Sequence, residues 1–536
     1  MILMKNRMMQ SLRQDLDFWS FSALVFCLGM ILPLVALIFG MWEPGPAWEH
    51  LTQTVLSDYF LNTLWLTLAV AILSLLMAVP TAWCLSHFDF PGRRLLEWAM
   101  VLPLAVPTYV AAFVYRQVPE ASIPLLIHIR TEFGVEPYLF AEAFIRKGTL
   151  ALFMAAVLYP YLYLSLRAAF LVQRRGVIEA AQLLGRSPGA VFFSVALPLA
   201  RPALVAGLSL IVMEVINDYG AVYFMGVPTL TVGIFRTWTG LGDLASAVRI
   251  AGLMMLGVFV LLWLEQHQRG SARFSDPTHS PPPALHRPLP KLKGWTATLM
   301  CLIPLTIGFL LPLLQLLAWA WMSLQQSTIQ FPWSRLMHSL GLSLAAALVL
   351  TLAAILISYA QRLHPVRWLQ IPARLACLGY AIPGAVVAVG VMLLLGKFNL
   401  IGTLYAIAFG YLVRFLAVGV HPIRAGLDRV CGSLDDASRV LGHSPTQTLC
   451  RINLPLIRGT LFSVTMLVFV DILKELPMTM ILRPVEFDTL ATFAFGLAKE
   501  SRIQACAVPS LLIILLAGIG LFSLNRMLIP KPRPHP

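Results

Sequence analysis

The sequence predicts an all-α polytopic membrane protein, with about 12 transmembrane helices arranged as two parallel six-span repeats. Three observations predict it. The 536 residues are 58% hydrophobic and only 12% charged, with a mean hydropathy of +0.79. Apolar runs of bilayer length recur along the whole chain. One short polar-edged segment is written twice, in the same setting between apolar runs.

A soluble chain of this length would divide into domains with charged surfaces, and there is too little charge here to cover them. The net charge of +14 does not imply a nucleic-acid partner. The Lys and Arg residues sit in short loops between apolar runs, where membrane orientation requires them, so lipid is the surrounding solvent. Cys27, Cys84, Cys301, Cys377, Cys431, Cys450 and Cys506 form no CxxC pair, and they read as small hydrophobes rather than disulfides or a metal site.

The first apolar run, from about Phe18 to Gly40, follows Lys5, Arg7 and Arg13. MWEPGPAW comes next in place of a small-residue cleavage site, which predicts an uncleaved first span. A crossing needs roughly 20 apolar residues. Twelve runs qualify, starting near residues 19, 59, 95, 149, 203, 244, 295, 338, 372, 399, 461 and 506. All are expected to be helices, because a helix satisfies its own backbone in lipid. Arg93, Arg94, Arg174, Arg175, Arg362, Arg367, Lys531 and Arg533 fall on one side, while the segment 42–58 carries Glu43, Glu49 and Asp58 without Lys or Arg. That bias predicts both termini in the cytoplasm. EQHQRGSARFSDPTHSPPPALHRPLPKLKG, residues 265–294, is the only extended polar stretch and reads as a cytoplasmic linker. It separates a first six-span block, 1–264, from a second, 295–536.

EAAQLLGRSPGAVFFSVALPL (179–199) and DASRVLGHSPTQTLCRINLPL (436–456) match at a constant shift of 257 residues. The same register pairs Arg167 with Arg424, Arg201 with Arg458, Glu214 with Asp471 and Asp218 with Glu475. An acidic residue near the start of a short helix, Glu179 or Asp436, suits the helix dipole. Gly185 or Gly442 then ends that helix at positive φ. Ser187-Pro188 or Ser444-Pro445 opens a second helix with an N-cap serine and a proline at the first position. Pro198 or Pro455 is expected to break it before the next span. A mere joining loop needs only a few residues, so a segment this long, punctuated identically in both halves, predicts a docking elbow.

These residues resemble the EAA motif of ABC-importer permeases, in which Glu-Ala-Ala precedes a glycine and the segment ends in Leu-Pro. The resemblance implies the type I importer fold, a bacterial inner (cytoplasmic) membrane location, and an elbow that seats in a groove of an ATP-binding subunit. It gives that coupling role to Glu179, Ala180, Ala181 and Gly185 with Ser187 and Pro188, and to Asp436, Ala437 and Gly442 with Ser444 and Pro445. The second copy departs from the consensus at Asp436 and Ser438, which implies asymmetric contact. The chain carries no GxxxxGK[ST] loop and no nucleophile or HExxH motif, so it reads as a transport subunit without catalytic residues or a cofactor of its own. ATP and Mg belong to the partner ATPase, expected in two copies for two elbows.

Glu214 and Asp218, like Asp471 and Glu475, are four residues apart and would share a helix face, with Glu214 and Asp471 near mid-bilayer and Asp218 and Glu475 nearer the outside. A charge facing lipid there costs at least about 2.5–3.5 kcal/mol, so these faces should meet protein or a wet path. They could offer oxygen ligands to a cationic cargo, or pair between helices, for instance with Lys474. Pro103, Pro107 and Pro383-Gly384 mark kinks. INDYGAVYFMGVPTLTVGIFRTW and DILKELPMTMILRPVEFDTLATFAF resemble fused ferric-iron ABC permeases. That implies Fe(III) received from a periplasmic substrate-binding protein, with 117–147 a candidate contact. Thiamine and polyamine permeases are related alternatives. An ion-coupled secondary transporter would need no paired elbows, and a membrane scaffold stands as a third class.

Overall fold

The computed structural model describes residues 17–43, 45–173, 180–181, 183–269, 287–325 and 331–528. Glu179, most of the expected linker and the charges expected at the two chain ends lie outside these residues. Helices account for nearly all regular structure described, the exception being a two-residue parallel pairing of Phe88–Asp89 with Arg287–Pro288.

Seven helices among the described residues are long and apolar enough to cross a bilayer: α1 (Phe18–Gly40), α2 (Leu56–His87), α3 (Val135–Val172), α4 (Leu244–His267), α5 (Lys291–Gln325), α6 (Trp333–Leu363) and α7 (Leu404–Asp428). Four further helix pairs qualify together but are sharply bent, which raises the number to as many as 11. They are Arg93–Ala105 with Thr108–Phe133 (88°), Gly189–Leu199 with Arg201–Asn217 (70°), Arg367–Tyr380 with Gly384–Gly396 (118°), and Pro445–Leu456 with Arg458–Leu473 (78°). The run expected near residue 506 falls on the helix Ala507–Leu528.

Proline explains two of the bends. Pro107 and Pro383 lack an N–H and stand with extended backbone just before Thr108 and Gly384, where the second helix of each pair starts. Val106 is likewise extended, as a residue before proline prefers.

The chain forms two compact units that do not follow chain order. One comprises Met1–Gly45, Phe331–Phe493 and Leu515–Pro536. In it α7 packs against α6 and Arg458–Leu473, while α1 lies along Gly384–Gly396 and Arg367–Ala376. The other comprises Pro46–Gln330 and Ala494–Ile514. Its centre is α3, continuously buried from Phe153 to Pro160 and packed between α2 and Arg201–Asn217, with α5 against it. The first span of each sequence block therefore lodges with helices of the other block.

Candidate functional site

The second elbow is described throughout. Its first helix, Gly432–Val440, ends in a turn where the Gly442 N–H donates to the Arg439 carbonyl (3.0 Å) and the His443 N–H to the Ser438 carbonyl (3.1 Å). Gly442 sits at φ +80° to close it, as a glycine past a helix end does. Ser444 then caps the next helix. Its hydroxyl accepts the Gln447 N–H (3.3 Å), and the Gln447 side chain accepts the Ser444 N–H (2.9 Å). Pro445 follows at the first helical position. The two arms are joined by the Ser438 and Thr448 hydroxyls, 2.8 Å apart.

The first elbow repeats this geometry. Gly185 has φ +82°, and the Arg186 N–H donates to the Ala181 carbonyl across the same turn (3.2 Å). The Ser187 hydroxyl accepts the Ala190 N–H (3.3 Å). At the tips, Leu183, Leu184, Val440 and Leu441 are 89%, 85%, 88% and 76% exposed, at positions the 257-residue shift superposes. Both elbows thus present two apolar side chains beside an exposed glycine turn. Ala180 and Ala437 are exposed beside them and Ala181 is half-buried.

Two expectations are corrected here. Asp436 does not stand near the start of its helix. The first-turn acid is Asp435, which is buried, whereas Asp436 is exposed and only loosely paired with Arg439 at 3.8 Å. Nor do Pro198 and Pro455 break the second helix. Each lies in a Leu-Pro-Leu helical turn preceded by a π turn, Phe192–Ala196 or Leu449–Asn453. The widened turn accommodates a ring that lacks an N–H and would press on the preceding turn. The chain bends after it, at Ala200 and Ile457.

The membrane carboxylates also differ from expectation. The helix carrying Glu214 ends at Asn217, so Asp218 is extended and does not share its face. Asp218 is buried, accepting the Ala221 N–H (2.8 Å) and the Thr108 hydroxyl. The helix carrying Asp471 likewise ends at Leu473. Glu475, just beyond, accepts the Met478 N–H (3.0 Å), the Thr479 N–H (2.9 Å) and the Thr479 hydroxyl (2.7 Å). These two acids stop one helix and cap the next, because their carboxylate oxygens satisfy N–H groups that a helix start leaves open. Asp471 pairs with Lys474 at 3.0 Å, and Glu214 is half-buried. Among the described residues no three His, Cys, Asp or Glu side chains converge as a metal-ligand set.

Several residues that position these bends escaped the sequence reading. Arg414 is 6% exposed in the middle of α7, and an Arg inside the apolar run was the available signal. A Cβ on Gly384 would lie 2.5 Å from its Nη1 and 2.8 Å from Glu475 Oε1, so glycine admits both groups to this bend. α2 and α6 match at a shift of 276 residues, LNTLWLTLA (61–69) against MHSLGLSLA (337–345). In that register Thr63 accepts the Leu230 N–H (3.0 Å) and Ser339 the Leu490 N–H (2.6 Å), each capping a helix from a neighbouring span.

Comparison with known proteins agrees with this duplicated architecture. Residues 73–269 and 353–534 match binding-protein-dependent transport system inner membrane components. The chain is 24% identical over 532 residues to the Fe(3+)-transport system permease protein FbpB 2 of Haemophilus influenzae, spanning 95% of this chain and 98% of that protein. It is 28% identical over 266 residues to the molybdate/tungstate transport system permease protein WtpB of Thermococcus kodakarensis, 47% of this chain and 98% of that one. With the sulfate transport system permease protein CysT of Synechococcus elongatus, identity is 32% over 182 residues, 34% of this chain and 63% of that one. Two matches to one family, on a chain of membrane-length helices, place this protein among the binding-protein-dependent transport system inner membrane components, as a multi-pass permease of an ABC importer with its two repeats fused.

Proposed function

We propose that this permease carries ferric iron from an extracytoplasmic binding protein to the cytoplasm by alternating access, driven by two ATPase subunits seated on the two elbows. The observation that carries the reading is the pair of superposable elbows, each a left-handed glycine turn flanked by exposed apolar tips. Both elbows and both termini face the cytoplasm, in keeping with the basic residues on that side. ATP and Mg are held by the ATPase, and its motion reaches the bundle through the bends at Ala200 and Ile457, which turn each elbow into the start of a span. Ala180, Ala181, Asp436 and Ala437 lie on the docking face with the tips, and Glu179 completes it by its place in the motif.

Ferric iron is favoured because the similarity to the Fe(3+) permease runs through both halves and nearly its whole length. The sulfate and molybdate/tungstate permeases match half the chain or less, and they supply the second reading, an oxyanion cargo. Asp218 and Glu475 hold bends, which leaves Glu214 and the Lys474-paired Asp471 as the acids assigned to the cargo path in this reading. Uptake of radiolabelled Fe(III), sulfate and molybdate in a deletion strain complemented with this chain tests the cargo. Restored iron uptake is expected, and restoration of an oxyanion alone overturns the iron reading while leaving the transporter class intact.

A further inference from the structure

The second elbow is anchored by a polar network whose three side chains have no ionisable counterpart at the aligned positions of the first half. At the end of α6, Arg362 Nε donates to Asp435 Oδ2 (2.7 Å), Nη2 to the Val430 carbonyl (2.9 Å) and Nη1 to the Leu427 carbonyl. Asp435 Oδ1 in turn accepts from Asn453 Nδ2 (3.2 Å). The Arg362 and Asp435 side chains are only 14% and 12% exposed, and Asn453 is fully buried. The three residues come from three elements: the end of α6, the first arm of the elbow and the π turn of its second arm. A planar guanidinium with several acceptors in fixed directions resists rotation as well as separation. One turn earlier on α6, the Tyr359 hydroxyl donates to the Pro445 carbonyl (2.7 Å). Trp19 packs edge-on against that ring at 5.1 Å, and His364 lies 3.3 Å from Asp17, so α1 buttresses the same corner.

In the first half the 276-residue shift sets Ser86 opposite Arg362, and the 257-residue shift sets Ile178 and Ala196 opposite Asp435 and Asn453. None of the three can ionise. Trp83, the counterpart of Tyr359, instead packs on Phe192 at 5.0 Å, and Gln173 donates to the Ala196 carbonyl (2.8 Å). Among the described residues, ring packing and one amide hydrogen bond hold this corner.

We propose that Arg362, Asp435 and Asn453 are positioning residues that make the second elbow and α6 move as one body, so that ATPase-driven motion enters the bundle more rigidly through this elbow than through the first. The inference rests on the elbows being the ATPase docking sites.

The test uses the full chain assembled with its ATPase and binding protein in lipid nanodiscs. Cys450, exposed on the π turn, carries a nitroxide in a Cys431→Ser background, which removes the other exposed thiol. Two variants are compared: Asp435→Asn, and the triple change Arg362→Ser, Asp435→Ile, Asn453→Ala, which installs the first-elbow residues and strands no charge. Both should leave the ATPase bound, raise nitroxide mobility, and lower cargo moved per ATP hydrolysed several-fold. If the triple variant alone assembles, it decides the matter. Unchanged mobility, or a loosened label with an unchanged ratio, overturns the proposal. Leu441→Asp separates the underlying reading: ATPase binding that survives it removes docking itself, whereas lost binding with unaffected Asp435→Asn and triple variants removes only the positioning role.

Discussion

The Thr108 hydroxyl donates to the Asp218 carboxylate, tying the first turn after the Pro107 break to the residue that ends the helix Arg201–Asn217. In the other unit Glu475 occupies the matching place, its Oε1 beside the first residue after the Pro383 break. A bend in one span and the stop of another are thus a single structure, built twice. Two of the acids that looked like cargo ligands, Asp218 and Glu475, are the pegs of that structure, and their oxygens are engaged by fixed donors.

Thr108→Val removes the hydroxyl and leaves a buried Asp218 oxygen without that donor. Such a loss costs about 1–3 kcal/mol. The purified variant should melt at lower temperature, and Thr108→Ser should restore most of the difference. A Val variant as stable as the parent would show that the contact contributes nothing.

Gly384→Ala should destabilise, although alanine ordinarily favours a helix by about 1 kcal/mol over glycine. The added carbon meets Arg414 Nη1 at 2.5 Å and Glu475 Oε1 at 2.8 Å, so a buried charged group must move. Reduced thermal stability and weaker uptake are expected. Unaltered melting would mean the bend yields freely.

Gly185→Val and Gly442→Val test the elbow turn through the backbone alone, since no atom lies within 4 Å of the space a Cβ would fill at either position. Holding a bulky residue in the left-handed region costs roughly 1–2 kcal/mol. Membrane insertion should persist while binding-protein stimulation of the ATPase is abolished. Gly442→Asn, which tolerates this conformation, should retain much of it. Normal coupling in both Val variants would count heavily against the elbows as the transmission.

Glu214→Gln combined with Asp471→Asn should lower uptake of a cationic cargo without loss of assembly, although Asp471→Asn also unpairs Lys474. Lys474→Gln alone provides the control for that ion pair. Uptake unchanged in the double variant would assign both acids to packing.

The elbows were legible because their shape is written locally. A glycine at positive φ, a capping serine and a proline at the first helical position act within a few residues of themselves, and at these positions both copies fold as read. The apolar runs were legible for the same reason, and helices or broken helices stand at the expected positions. The π turns before Leu-Pro-Leu were missed because proline's absent N–H can be met by breaking a helix or by widening it, and nearby residues do not choose between these.

What remained hidden depends on contacts across long stretches of chain: Thr108 with Asp218 over 110 residues, Ser339 with Leu490 over 151, Arg362 with Asp435 over 73. Residue order alone settles hydropathy, punctuation and duplication, because each is a property of a short window. Which helix lies beside which, including the lodging of α1 with the later block, is settled by packing among apolar surfaces that look alike in sequence. The roles of the buried charges follow from those neighbours, since a carboxylate in low dielectric takes its function from the donors that folding brings to it.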